Sequence, residues 1–248
     1  DKGEKIYGVT TGIGELASVF LTPQQGLDLQ KKLIYSHSAS YGDELPHEEV
    51  KAAMAARANV WARGHSGMRL STCQTYVDMV NRGVTPTVYE KGSVGCSGDL
   101  SPLAQIAEAV IGEGSATYEG KKYGGREAMD KAGLSPVELT YKEGLGLING
   151  TQVMVGQMCL LLEDSRDLIK NALIASSMSL DALNSVQKPF DGRVHALRPY
   201  HGQNTVAKNL RSMMADSEIL ANPTGKVQDG YSMRCTPQIL GPTIDIWY

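Results

Sequence analysis

The chain has 248 residues, 42% of them hydrophobic, enough for one large domain or two modest ones around a substantial core. Lys plus Arg number 24 against 27 Asp plus Glu, a formal net charge of −3, so electrostatics gives no reason to expect nucleic acid or an anionic membrane as partner. No apolar run looks long enough to span a bilayer, and Asp1-Lys2-Gly3-Glu4-Lys5 is no signal peptide, which points to the cytoplasm. Cys73, Cys96, Cys159 and Cys235 are scattered without a C-x-x-C pair, as expected of reduced thiols. His37, His47, His65, His195 and His201 show no zinc-ligand spacing, and no metal is expected.

Helix signals dominate the chain order. Thr22-Pro23-Gln24-Gln25 reads as an N-cap, a proline at the first helical position and the Gln of a capping box. Leu27, Leu33 and Ile34 then mark a buried face that fades near Tyr41-Gly42. A second helix follows Leu45-Pro46, runs through Val50, Met54 and Trp61, and stops at Gly64. A third covers Thr72 to Arg82, with Gly83 as terminator. Ser101-Pro102 opens a fourth, with Leu103, Ile106, Ala107 and Val110 on one face and Gly112 at its end. Ala116 to Tyr123, broken by Gly120, reads as a small hairpin. From Thr151 to Asn184 there is no proline and a single glycine, so one long helix is predicted. Another spans Val206 to Leu220, before the turn Asn222-Pro223-Thr224-Gly225. The fold class is mainly α.

Both ends suggest a piece of a longer chain. A charged stub precedes a glycine-rich loop, and Ile246-Trp247-Tyr248 leaves two aromatics where a polar terminus is usual.

Three stretches carry more glycine and polar residues than folding needs: Tyr7 to Gly14, Gly92 to Pro102, and Gln228 to Arg234. Gly12-Ile13-Gly14-Glu15-Leu16-Ala17 formally matches a dinucleotide-binding fingerprint, but Thr22-Pro23 breaks the helix that motif requires and no parallel-strand series follows. Gly95-Cys96-Ser97-Gly98-Asp99 could be a hydrolase nucleophile turn, though nothing ties a histidine to Ser97. A third possibility explains this stretch better. In Xaa-Ser-Gly the glycine lacks a Cβ, so its amide nitrogen can approach the carbonyl carbon two residues back. Ring closure and loss of water from the serine would leave a 4-methylidene-imidazol-5-one, a carbon electrophile made without added cofactor. A helix starting just behind would place its positive N-terminus near the ring.

The run Gly92-Ser93-Val94-Gly95-Cys96-Ser97-Gly98-Asp99-Leu100-Ser101-Pro102-Leu103-Ala104 resembles the signature of the histidine and aromatic amino acid ammonia-lyase family. Tyr7 to Gly14 is similar to its Y-G-x-x-T-G-x-G loop, and Leu147-Ile148-Asn149-Gly150-Thr151 to its asparagine motif. Phe190 to Gln203 and Gln228 to Gly241 resemble its later blocks, so the likeness runs from Tyr7 to about Asp245. It implies a helical fold of the fumarase/aspartase-like superfamily, with residues 1–148 as the ring-bearing N-terminal domain and 149–248 as the start of the central helical bundle.

The family eliminates ammonia from an α-amino acid, and a few members move the amine to the β-carbon. By resemblance, Cys96, Ser97 and Gly98 form the ring, and Tyr7 is the base that takes the β-proton. A phenol serves as a base only as its phenolate, which needs donors around the oxygen; the adjacent glycines suit backbone donation. Arg234 would bind the substrate carboxylate through a bidentate fork. Asn149 would hydrogen-bond the carboxylate or the ring oxygen, with Tyr231 and Gln228 assisting. Ser36-His37 stands where the family sets ring selectivity and matches its histidine-directed branch. Three positions depart from the usual pattern: Cys96 for the commoner alanine, Ile13 for a frequent phenylalanine, and Gln105 where histidine-directed members usually have His. The family's C-terminal half is absent, and its homotetramers share active sites, so Tyr7 and Ser97 are expected to meet across an interface.

The leading expectation is therefore a lyase that converts L-histidine to urocanate, ahead of L-phenylalanine or L-tyrosine as substrate. An aromatic aminomutase on the same scaffold, an inactive helical assembly module, and a dinucleotide-dependent oxidoreductase are the alternatives.

Overall fold

A computed structural model describes residues 4–95, 97–222 and 225–247. The stub Asp1-Lys2-Gly3, the ring residue Cys96, the Pro223-Thr224 pair of the expected turn and the terminal Tyr248 lie outside the described residues. The chain divides into two compact units, Asp1–Leu160 and Leu161–Tyr248.

The first unit is built around a helix that is buried on nearly every side. This helix, α4 (Leu100–Val110), buries Leu103, Ala104, Ile106, Ala107, Ala109 and Val110, so it can only sit in a core. Around it pack α1 (Pro23–His37), α2 (His47–Trp61), α3 (Leu70–Arg82), α5 (Gly125–Lys131) and α6 (Glu143–Ile148). Thr22 and Gln25 form the reciprocal capping box that starts α1, and Gly83 ends α3 in the left-handed region at φ 78°. Strands β1 (Tyr41–Glu44) and β3 (Tyr89–Lys91) pair antiparallel, and β2 (Thr85–Pro86), β4 (Ser115–Tyr118) and β5 (Lys121–Gly124) form a second small sheet. Glu119 and Gly120 both have positive φ, the tight hairpin turn whose twist matches its flanking strands.

The long helix α7 (Gln152–Ala182) begins in the first unit and continues into the second. In the second unit, α9 (His201–Met213) and α11 (Thr236–Trp247) bury Val206, Leu210 and Ile244 with Leu173, Leu180 and Phe190. The short α8 (Gly192–Ala196) precedes α9, and the short α10 (Tyr231–Arg234) lies between α9 and α11.

Several expectations needed correction. The helix predicted over Val206 to Leu220 lies earlier, at His201–Met213. Beyond Met214 the Ser217 hydroxyl accepts from Leu220 N and donates to the Asp181 carboxylate, a local bonding pattern that competes with helix. Helix α11 was not predicted; it carries Pro237 in its first turn, where a missing N–H costs nothing, and it continues through Pro242. Strand β1 is exposed at all four positions and so carries no alternation to read. By length and composition the stretch Glu143–Ala182 would be long and apolar enough to cross a membrane, contrary to the reading of short apolar runs. That stretch is broken between α6 and α7, and Glu163, Asp164, Arg166, Asp167 and Lys170 follow on α7, which argues for a helix that faces protein and water.

Candidate active site

Ser97 is exposed at the end of the glycine-rich loop, and α4 begins three residues later. Gly98 is buried at φ 96°, a conformation that favours glycine. A Cβ at Gly98 would run into the carbonyl oxygen of Gly150, so the loop lies directly against the corner that joins α6 to α7. Two hydrogen bonds close that contact. The Asn149 side-chain amide donates to Ser97 O (2.8 Å), and Asp99 N donates to Gly150 O (2.6 Å).

The buried Asp99 carboxylate fixes the loop from the other side. It accepts from the Ser93 hydroxyl (3.0 Å) and from Met154 N (3.0 Å), and the latter bond caps the first turn of α7. The Ser97-Gly98 turn is therefore pinned on both flanks, by Ser93 before it and by Asp99 after it.

The corner is itself braced from below. At the start of α6, buried Glu143 accepts from Arg69 N, Nε and Nη2, from Thr72 Oγ1 and from Thr140 N. Burial alone would raise its pKa, but these donors outweigh burial and hold the carboxyl below its ordinary range. At the other end of α6, Arg57 from α2 donates through Nη1 to Asn149 O (2.8 Å) and Gln152 Oε1 (2.7 Å), and through Nη2 to Gly146 O. Arg57 is 3% exposed, and burial lowers its pKa.

Elsewhere in the first unit, Tyr7 is half exposed and its phenol oxygen accepts from Gly14 N at 2.9 Å. That is a backbone donor of the kind the flanking glycines suggested. The residues of the fingerprint-like stretch form a short 3-10 turn at Gly14–Leu16, with Thr11 bridged to Phe20, and no βαβ unit surrounds them among the described residues. At the end of α1, His37 Nδ1 lies 2.8 Å from Leu33 O. A carbonyl only accepts, so neutral His37 carries its proton on Nδ1 and presents Nε2 as an acceptor. The Ser36 hydroxyl donates back to Leu33 O (3.0 Å) and sits 3.0 Å from His37 Nδ1.

In the second unit, Gln228 and Tyr231 are exposed, and Asp229 anchors the segment by accepting from Val186 N at 2.6 Å. Arg234 stacks over the Tyr231 ring, its guanidinium carbon 4.2 Å from the centroid. Its Nε donates to Asp229 O (3.0 Å), while Nη1 and Nη2 make no bond to any described residue. That leaves a planar two-donor edge open for a carboxylate.

Gln105 and His195, singled out within motifs, serve the core. Gln105 accepts from Tyr89 N (2.9 Å) and donates to Ser40 O (3.4 Å). Fully buried His195 bonds Pro189 O through Nε2 and Gln203 through Nδ1. Arg57, Asp99 and Glu143 were not singled out from sequence; each lies far in the chain from most of its partners, and only Asp99 sat inside a motif. No group of three or more metal-ligating side chains occurs among the described residues. A cleft of about 280 Å³ runs beside the loop, lined by Ser93, Gly95, Asp99, Met154 and neighbours, and clefts of about 520 and 550 Å³ lie elsewhere. None of the candidate site residues lines these three.

Residues 1–248 match the family model described as aromatic amino acid lyase. Histidine ammonia-lyases from Caldanaerobacter subterraneus subsp. tengcongensis and Alkaliphilus metalliredigens are each 45% identical, over 98% and 97% of this chain and 48% of their own length. Among solved structures, the phenylalanine aminomutase of Pantoea agglomerans matches with a TM-score of 0.90 at 36% identity, covering 98% of this chain and 50% of that one. Histidine ammonia-lyase from Trypanosoma cruzi matches at 0.88 and 34%, covering 98% and 45%. The chain thus spans about half the length of the curated relatives it matches. By motif, fold and similarity along its whole length, the chain belongs to the aromatic amino acid lyase family.

Proposed function

We propose that this chain carries the electrophile-forming part of an ammonia-lyase that converts L-histidine to urocanate and ammonia. The observation that carries the reading is the Ser97-Gly98 turn, held against Gly150 with no room for a side chain on Gly98. That is the crowding needed for Gly98 N to reach the carbonyl carbon of Cys96. Closure forms the N–C bond, and the carbonyl oxygen leaves as water with the hydrogens of Gly98 N and Ser97 N. A second water takes the Ser97 hydroxyl and its Cα hydrogen, giving the 4-methylidene-imidazol-5-one. Once formed, this group supplies a carbon electrophile that makes the substrate amine a better leaving group.

The remaining roles fall to side chains of this chain. Tyr7 Oη, supported by Gly14 N–H, takes the proton from the substrate Cβ as the Cα–N bond breaks and the double bond forms. The open Nη1/Nη2 edge of Arg234 holds the carboxylate, with Tyr231 stacked beneath it and Gln228 in the same segment. Asn149 holds the ring oxygen, which derives from the Ser97 carbonyl it already bonds. His37 offers Nε2 to the imidazole N–H of the substrate, with Ser36 fixing the ring's other side. The working protein is a cytoplasmic homotetramer in which subunits share sites.

The identity of about 45% to histidine ammonia-lyases favours histidine over phenylalanine or tyrosine. A second reading, an aromatic aminomutase, is favoured by the likeness to phenylalanine and tyrosine aminomutases. The full-length protein, given equimolar histidine, phenylalanine and tyrosine, should form urocanate fastest. Faster cinnamate or coumarate would overturn the substrate, β-amino acids would establish the mutase, and no product at all would leave an assembly module.

A further inference from the structure

We propose that Arg57 is a positioning residue for formation of the electrophile. It holds the Asn149-Gly150 corner in the place where that corner compresses the Ser97-Gly98 turn. The inference rests on the ring reading above and extends it to a residue on α2, forty positions before Ser97 in the chain.

Two observations carry it. The first is electrostatic. Arg57 is 3% exposed, and among the described residues no carboxylate lies within ion-pair distance of it. Its acceptors are the carbonyls of Gly146 and Asn149 and the side-chain oxygen of Gln152. Burying an unpaired guanidinium is expensive, and burial accordingly lowers its pKa. A residue selected for stability alone would be paired, like Arg69 with Glu143, or apolar.

The second observation is where those acceptors lie. One is on α6, one is the corner itself, and one opens α7. A planar fork can engage all three together, whereas a single ammonium is a point donor on a flexible stem. On the opposite side of the same corner, Asn149 and Gly150 bond Ser97 O and Asp99 N. Gly150 is also tight toward Arg57, since a Cβ there would collide with Nη1 and with Gln152 Oε1. The corner is therefore gripped between the guanidinium and the reactive turn. Slack on the Arg57 side becomes slack in the distance that ring closure must cross.

The test uses the full-length protein with Arg57→Lys and Arg57→Ala, reading the intact mass of the folded fraction isolated by size exclusion. The unmutated protein should be two waters short throughout. Both variants should contain folded chains that retain those waters, Arg57→Ala more than Arg57→Lys. In freshly synthesised Arg57→Lys the waters should be lost about tenfold more slowly. The matured fraction should keep a near-normal KM, with kcat per total protein falling in proportion to the missing ring. A folded Arg57→Lys that matures as fast and as completely as the unmutated protein would overturn the inference, even if Arg57→Ala does not fold. If the unmutated protein itself shows the full sequence mass, the ring reading fails first.

Discussion

The reactive turn and the Gln228–Arg234 segment are built on opposite plans. Around Ser97 and Gly98 the polar groups are consumed: Asn149, Asp99 and Gly150 bond the turn, and Arg57 and Glu143 bond what lies beneath it. In the segment, Asp229 is tied down while Gln228 and Tyr231 stand exposed and Arg234 keeps two donors open. The difference separates two tasks. Making a covalent group from the backbone needs a chain with no freedom to relax. Gripping a substrate needs donors that no protein group has claimed.

Substitutions on each side should break this contrast in different ways. Ser97→Ala removes the methylidene carbon's source and should lower turnover by about four orders of magnitude or more, with folding unchanged, as read by product formation and circular dichroism. On the open side, Arg234→Lys keeps the charge but loses the fork. It should reduce kcat/KM about a hundredfold, roughly 2–3 kcal/mol, with the ring still formed. An unchanged kcat/KM would return Arg234 to a surface role.

Ser36→Phe with His37→Leu removes the Nε2 acceptor and should move preference from histidine toward phenylalanine by about 1–2 kcal/mol, measured as a ratio of kcat/KM values. Unaltered preference would mean that α1 does not face the substrate ring.

The smallest effect should come from beneath the corner. Glu143→Gln weakens the Arg69–Glu143 contact, and because Arg69 is 45% exposed the loss should be modest, about 1–2 kcal/mol at neutral pH by urea denaturation. The folded carboxyl sits below its ordinary value of 4.5, so its contribution is complete above that pH and is lost as pH falls through the depressed folded value. The two proteins should converge in acid, and a gap that persists there would show that packing, and not charge, fixes α6.

Much of this was legible before any coordinates. The capping box at Thr22, the terminator at Gly83, the hairpin at Gly120 and the long α7 rest on local rules, and local rules read well from sequence. The motif residues proposed for the site could also be named from sequence alone, because glycine and serine in that order have a specific chemistry. What was missed is non-local. Asp99 reaches Met154, Arg57 reaches Gly146, Asn149 and Gln152, and Glu143 reaches Arg69 and Thr72, across separations that no periodicity encodes. The bonds of Gln105 are non-local in the same way: beside the motif it reads only as a departure from the histidine-directed pattern, and its amide bonds the backbones of Tyr89 and Ser40.

The central claim is that the chain converts its own Cys96-Ser97-Gly98 segment into an electrophile. Intact mass spectrometry of the denatured, purified protein tests it most directly, with tandem fragmentation to place the change. The account predicts a mass two waters below that of the sequence, with both losses mapped to residues 96–98 and one of them restored in Ser97→Ala. A mass equal to that of the unmodified sequence would contradict it.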